Sequence, residues 1–401
     1  MRRVIIILIL TLSYLGSEAQ IKINLDWYNK HTYKLYQEKS WPRLIELGDD
    51  AIKAGFDFYY LRMRLGIAYY EQGKFRYAIS HFEHALKFDI NPLAVEYLYY
   101  SYKFSGRQMD ANLVYTKYKK QLKSRGVSSA IGILTGLYTE TGIKLLSPSN
   151  SEYGSLLYVH VGAEQQLGSR LNLYHGYMRY SQNSFQYESV PGLGPGGIVL
   201  TETKRKYVQN EYYLKATIPV IKGIQLIGSF HTQQIIDTVQ FYNFSYLGGL
   251  STSLKFMDLY VSYSSSRINE NQHDQLSAGV TFYPAMNQNF YLQSIITNHV
   301  DEGASNIIFY QKIGLRTGEN AWFDFYGSFG DMRNVQELDG FYIYNLNNQL
   351  NTRLGLTGTF FLGEKVKLLV GYTNESYKEI DTGLPYNQHY LFTGLKVLIK
   401  N

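Results

Sequence analysis

The 401-residue chain contains no cysteine. That excludes disulfides, thiolate metal sites, a thiol nucleophile and a lipid-modified N-terminal cysteine. Proline is scarce, at 8 residues, and only 18% of the chain is charged. Long apolar runs are missing too. Beyond residue 20 no stretch approaches the ~20 residues that a membrane-spanning helix needs, so a polytopic helical membrane protein is excluded. Disorder over most of the chain is excluded by its many aromatic and β-branched residues. What is present is 39 Tyr, 21 Phe and 35 Gly.

Residues 1–20 read as an address. Met1-Arg2-Arg3 is a charged start, Val4 to Leu15 is almost wholly apolar, and Gly16-Ser17-Glu18-Ala19-Gln20 is small and polar. A run of about twelve apolar residues is short for a span and suits a secretory signal peptide.

The stretch 59–92 carries Leu65-Gly66, Tyr69, Gly73, Phe75, Ala78, Phe82 and Ala85-Leu86. This pattern resembles the tetratricopeptide repeat, a helix pair with a period of about 34 residues. One period back lie Trp41, Leu44, Gly48, Ala51 and Ile52. One period forward lie Leu98, Tyr102, Gly106, Ala111, Tyr115 and Tyr118. Residues 21–126 are therefore expected to be a solenoid of about three repeats. The resemblance implies a concave groove lined by the first helix of each pair, here Tyr33, Tyr36, Tyr60, Met63, Ile67, Tyr70, Glu96, Tyr100 and Lys103. Such a tyrosine-rich surface suits a peptide or a glycan, or packs between repeats or against a second domain. The basic run 117–125 reads as a solvated helix end or as a contact for anionic headgroups.

From residue 127 the period falls to two. Val366, Leu368, Val370 and Tyr372 alternate with Lys367, Leu369, Gly371 and Thr373, and Leu276, Ala278, Val280 and Phe282 with Gln275, Ser277, Gly279 and Thr281. One apolar and one polar face mean strands. About fourteen segments repeat this, near 130–142, 153–167, 170–184, 203–219, 223–235, 239–256, 257–268, 273–284, 289–299, 304–316, 321–332, 341–362, 365–376 and 387–400. Tight turns such as Gly168-Ser169 and Gly363-Glu364 alternate with mostly longer connections such as 185–202 and 333–340. That is the layout of an outer-membrane β-barrel over 127–401. Aromatic clusters near segment ends, Tyr242 to Tyr246, Phe341 to Tyr344 and Phe360-Phe361, suit interfacial girdles. The soluble alternative is a large β-sandwich, with its apolar face turned inward. An even strand number puts both barrel ends on the short-turn side, where the helical repeats then lie in the periplasm.

Charge sorts by region. Residues 21–126 carry 18 basic and 11 acidic side chains, and residues 127–401 carry 19 and 21. The expected inward faces nevertheless hold mostly cations: Arg179, Arg205, Lys215, Lys312, Arg316, Arg353, Lys365, Lys367 and Lys396. Glu211, Asp324 and Glu375 are among their fewer acidic companions. A basic lumen would draw in anions. The other reading is a salt-bridged lumen that plugs itself.

Chemical motifs are weak. Gly192-Leu-Gly194-Pro-Gly-Gly197 matches a dinucleotide-binding string, but it lies in a loop of a strand-rich region with no helix to open. Ser229 and His231 stand two apart with no nucleophile signature around them. His81 and His84 share a helix without an acid placed to complete a metal site. No catalytic residue, metal, cofactor or nucleic-acid partner is expected.

Taken together, the arrangement resembles the family of outer-membrane barrels fused to periplasmic tetratricopeptide repeats, with the YaiO-like barrels among its members and exopolysaccharide exporters as distant relatives. The resemblance implies an outer-membrane channel. Its repeats would recruit a periplasmic protein or glycan chain, and an anionic polysaccharide is one cargo. The alternative is a plugged barrel that anchors a scaffold for envelope assembly.

Overall fold

The computed structural model describes residues 24–129, 131–147, 154–191, 198–236, 240–301, 303–380 and 382–399. The signal segment 1–20 and the glycine string 192–197 lie outside them.

Among the described residues seven helices come first: α1 (Leu25–Gln37), α2 (Trp41–Lys53), α3 (Tyr59–Glu71), α4 (Phe75–Phe88), α5 (Pro92–Phe104), α6 (Gln108–Lys117) and the short α7 (Lys119–Ser124). Their boundaries follow from local chemistry. The Asn24 side chain accepts the Trp27 N–H at the start of α1. Prolines occupy the first turns of α2 and α5, where no backbone donor is lost. Gly73 and Gly106 take φ of +69° and +79° where the chain reverses after α3 and α5. Gly66 lets α3 approach α4, because a Cβ there would stand 2.6 Å from the Phe82 ring. Leu44, Leu61, Leu65, Ala78, Phe82, Ala85 and Leu98 form the buried apolar interior.

Fourteen strands then close into one antiparallel barrel. They are β1 (Gly132–Ser147), β2 (Leu156–Leu167), β3 (Leu171–Pro191), β4 (Ile198–Ile221), β5 (Ile224–Ile236), β6 (Gln240–Ser253), β7 (Met257–Ile268), β8 (Asn271–Phe282), β9 (Phe290–Asp301), β10 (Ala304–Thr317), β11 (Ala321–Phe329), β14 (Gln349–Leu362), β15 (Val366–Lys378) and β16 (Pro385–Leu398). The seam joins β1 to β16 from Gly136↔Leu398 to Ser147↔Asn387. Within the barrel wall every strand is paired on both sides, the condition for crossing a bilayer with strands. The exterior is apolar: Leu157, Val159, Val161, Leu250, Val261, Leu276, Ile296, Leu354 and Val370 are exposed there. The interior is polar, with His160, Glu211, Gln233, Asn243, Ser264, Thr373 and Glu375 buried. This inside-out partition belongs to an outer-membrane barrel and rules out the sandwich.

Two expectations are corrected. The described parts of the connection 185–202, residues 185–191 and 198–202, are strand rather than loop. Strands β3 and β4 stay paired through to Pro191↔Ile198, beyond the last β2–β3 pair at Leu157↔Ser181 and the last β4–β5 pair at Val208↔Ile236. They form a hairpin that projects from the long-loop rim. Conversely, residues 341–348 do not begin a wall strand. Two-residue strands β12 (Gln336–Glu337) and β13 (Tyr342–Ile343) pair only with each other. The connection between β11 and β14 folds into the barrel, so Phe341 and Tyr342 pack among lumen side chains rather than in a girdle.

The helical region docks on the short-turn end of the barrel. Arg76 of α4 forms a bidentate pair with Asp258 of β7, both bonds 2.9 Å, and its guanidinium lies 3.7 Å from the Tyr283 ring centre. The Tyr283 hydroxyl donates to the same carboxylate at 2.8 Å. Asp110 of α6 accepts the Gly223 N–H at 2.9 Å while paired with Arg107 at 2.8 Å. Lys222 pairs with Glu83. Asn287 donates to the Gly73 carbonyl at 2.9 Å.

Candidate functional site

Strand alternation decides which side chains enter the lumen. On β4, Glu211 and Tyr213 are buried while Tyr212 is exposed, so odd positions point inward and bring Gln209 and Lys215 with them. On β8 the inward set is His273, Gln275 and Ser277, and on β15 it is Thr373, Glu375 and Tyr377.

The segment 331–348 crosses this space, and polar groups of several wall strands bind it. Asp339 at its tip accepts from Lys215 and from the Tyr260 hydroxyl at 2.7 Å. The Asp339 carbonyl accepts from the Tyr213 and Ser229 hydroxyls at 3.0 and 2.6 Å. His231 Nδ1 contacts the Gly340 carbonyl at 2.8 Å, and its Nε2 lies 3.1 Å from Glu211. Gln336 exchanges two bonds with Gln275, 2.8 and 3.1 Å, and accepts from Ser245 at 2.6 Å. Glu337 accepts from Ser328 at 2.5 Å, Tyr344 at 2.7 Å and Arg353 at 3.1 Å. The segment is thus held from β4, β5, β6, β7, β8, β11 and β14 at once. Leu338 and Asp339 adopt φ of +52° and +59°, a left-handed conformation that costs a branched side chain about 1–2 kcal/mol, so these contacts over-determine the turn.

Below the tip lies a cavity of about 450 Å³. Ser251, Ser262, Ser277, Thr281, Gln293 and Tyr310 are among the residues on its wall; Leu338 and Asp339 bound it at one end and Gly106 and Arg107 of the helical region at the other. The barrel's own chain thus enters the lumen above this cavity, and residues of the docked helices border it below.

The expected basic lining resolves into ion pairs. Lys215 meets Asp339, Lys312 meets Asp324 at 3.4 Å, and Lys396 meets Glu164. Arg353 lies between Glu337 and Glu375, at 3.1 and 3.6 Å, and Glu375 also holds Lys144 at 2.7 Å. Glu211 is engaged by Gln233 and His231. Lys367 is half-buried over the Phe361 ring at 5.2 Å. The other cations are not lumen groups. Arg179 points outward and binds Asn210 at 3.3 Å, because Met178 and Tyr180 on either side of it take the inward positions. Arg205 sits beyond the last β4–β5 pair, in the projecting hairpin. Arg316 and Lys365 are exposed at the short turns, with Arg316 donating to the Glu319 carbonyl at 2.9 Å. Sequence reasoning missed Lys144, Glu337 and Asp339. Lys144 continues the even-numbered inward face of β1 and was legible from that. The two acids sit in a connection, where alternation carries no facing information. Ser229 and His231 both contact the inward segment, at the Asp339 and Gly340 carbonyls.

On the helical region, Met63 and Ile67 are buried in the core, 6% and 7% exposed, and cannot line a groove. They fill the space between neighbouring helix pairs. Tyr33 and Tyr60 are exposed, with the Arg64 guanidinium 5.1 and 5.9 Å from their ring centres. Arg64 is itself held by the Asn29 carbonyl and Thr32, each at 2.9 Å. Tyr36, Tyr70, Tyr100 and Lys103 are half-buried. Tyr70 packs against Phe75 and Tyr97, and Tyr100 against Phe104. Glu96 is paired with Arg125 at 2.6 Å. His81 of α4 is pushed down to about 3, by burial first and then by the Arg62 and Lys255 charges.

No family model and no curated protein matches the chain. Solved structures similar to it include the CymD monoaromatic hydrocarbon channel, at 9% identity over 68% of this chain and 90% of that one, TM-score 0.45. The toluene transporter TbuX of Ralstonia pickettii is similar at 9% identity over 66% of this chain and 90% of that one, TM-score 0.42. A bacterial polysaccharide outer membrane secretin is similar at 9% identity over 67% of this chain and the whole of its own, TM-score 0.38. At these values the likeness carries no statement about what passes through the barrel.

Proposed function

We propose that the chain is a gated outer-membrane channel held closed, with residues 331–348 as its gate and the helical region as a periplasmic docking platform beneath it. The observation that carries this reading is the cavity of mixed polar and apolar lining between the gate tip and Gly106-Arg107. A barrel that served only as an anchor needs no such space. The gate tip is held by hydrogen bonds and ion pairs, each worth roughly 0.5–3 kcal/mol net, which water can replace one by one as the tip withdraws, while Met332 and Val335 at its base stay buried against Ile308, Leu350 and Tyr377.

The cavity wall suggests the cargo. Hydroxyl and amide groups with Tyr260 and Tyr310 suit a polar, hydroxyl-rich solute or glycan segment. Since the lumen cations are mostly paired, the reading favours such a solute over a strongly anionic one. A glycan exported from the periplasm, delivered by the Tyr33–Arg64–Tyr60 surface, is the version that uses both regions. It assigns no catalytic step to the chain. The buried Lys144–Glu375–Arg353–Glu337 network favours the second reading, a permanently plugged anchor whose helices dock an envelope protein.

Sugar flux into proteoliposomes separates the two. The channel reading expects little uptake of a disaccharide by the wild-type protein and clear uptake by Glu337→Ala/Asp339→Ala. No uptake by either, in a correctly folded barrel, supports the anchor.

A further inference from the structure

We propose that His273, His299 and Asp301 form a binding site for a divalent transition-metal ion of the zinc class, near the long-loop end of the lumen. The three residues are brought together by the β8–β9 pairing. His273 stands directly opposite Asp301, and Gln275 opposite His299. All three therefore share the inward face, and one ligand atom from each lies within 4.8 Å of the other two. The imidazole rings are nearly parallel, 12° apart, with centres 5.8 Å from each other.

The decisive observation is that neither ring has a hydrogen-bond partner among the described residues. His273 and His299 are 2% and 1% exposed, and both nitrogens of each ring are buried and unsatisfied. His273 Nδ1 approaches an Asp301 carboxylate oxygen at 3.1 Å, but the alignment makes no hydrogen bond. The Arg333 backbone lies near His299, also outside hydrogen-bond geometry. A buried polar group left unpaired costs about 1–3 kcal/mol, and two adjacent imidazoles in that condition need an explanation. Two ligands each about 2.1 Å from a tetrahedral ion stand roughly 3.4 Å apart, close to the His273–Asp301 separation. Neutral imidazole with one carboxylate is the donor set of zinc and its first-row neighbours rather than of magnesium or calcium. Three protein ligands leave a coordination position open toward the lumen. An ion here would staple β8 to β9 beside Gln275, the residue on which Gln336 of the inward segment is docked.

Equilibrium dialysis against Zn²⁺, read by atomic absorption, tests this. The full-length protein is purified in detergent without a histidine tag and stripped with a chelator. We expect one Zn²⁺ per chain at low micromolar free metal, and at least tenfold weaker binding by His299→Gln. His389→Gln, which alters an outer-face histidine bonded to Tyr372, should bind as the wild type does. If His299→Gln loses the gel shift of a folded barrel, Asp301→Asn takes its place in the same measurement. Absence of a stoichiometric site in the wild-type protein, or equal binding by the folded variants, overturns the proposal.

Discussion

The helical region and the barrel bury different chemistry. Between the helices the interior is Leu44, Leu61, Leu65, Ala78 and Phe82; inside the barrel Glu211, Gln233, His273, Arg353 and Glu375 are buried beside small apolar clusters such as Ile308, Met332, Val335 and Leu350, with leucine and valine on the outside. One chain has met two solvents. In water, apolar burial drives assembly. Against lipid tails that drive vanishes across the wall, and the strand ladder plus a satisfied polar lumen must hold the structure. A core mutation should therefore act through cavity volume in the first region and through unpaired charge in the second.

The sharpest way to break this contrast is to reverse the central lumen charge. Arg353→Glu would place a third carboxylate beside Glu337 and Glu375. We expect a loss of about 3–5 kcal/mol or more, the cost of breaking a buried pair, read as a lowered unfolding midpoint in detergent. A midpoint within error of wild type would mean that water fills this part of the lumen.

Next in size is the junction between the regions. Arg76→Ala leaves Asp258 without its bidentate partner, at an expected cost of roughly 3 kcal/mol to docking. The barrel itself should keep its heat-dependent gel mobility, while hydrogen exchange rises at α4 and at the turns that contact it. Unchanged exchange there would show that the remaining junction contacts suffice.

A third effect belongs to the helices alone. His81 titrates below its ordinary value of 6.5, at about 3. The unfolded chain therefore takes up the proton first. Stability of the helical region should be full above about pH 6.5 and fall as pH drops toward 3, by at most roughly 1.4 kcal/mol per pH unit. His81→Gln should flatten the acid side of that profile, as followed by circular dichroism. The smallest expected effect on stability is that of Tyr33→Ala/Tyr60→Ala. These exposed rings should be removable within about 0.5 kcal/mol, yet glycan or peptide binding to the full chain should weaken several-fold.

Much of the fold was legible because period and turn chemistry are local. The segment 257–268 carried its own boundaries, and the strand number followed from counting such segments. Facing was legible only where one parity was clearly apolar, as at Val366 to Tyr372. On β3 both parities mix rings with polar groups, so Arg179 was assigned to the lumen although Met178 and Tyr180 fill it. Phe341-Tyr342-Ile343-Tyr344 alternates like a wall strand, yet alternation cannot tell a wall strand from a short hairpin inside the barrel. The pairing of Lys215 with Asp339 spans 124 residues, and no local signal encodes such a contact. The same holds for His273 and His299, which only the β8–β9 register brings together.

The central claim is that 331–348 is a gate, and single-channel recording in a planar bilayer tests it most directly. The account predicts a wild-type barrel that is mostly closed with rare openings, and a Glu337→Ala/Asp339→Ala barrel with frequent, larger and weakly ion-selective openings. A thiol bridge in Ser245→Cys/Gln336→Cys, joined by a short reversible crosslinker, should abolish openings until it is cleaved. A bridged Ser245→Cys/Gln336→Cys barrel that conducts freely would contradict the account, and so would a Glu337→Ala/Asp339→Ala barrel that never conducts.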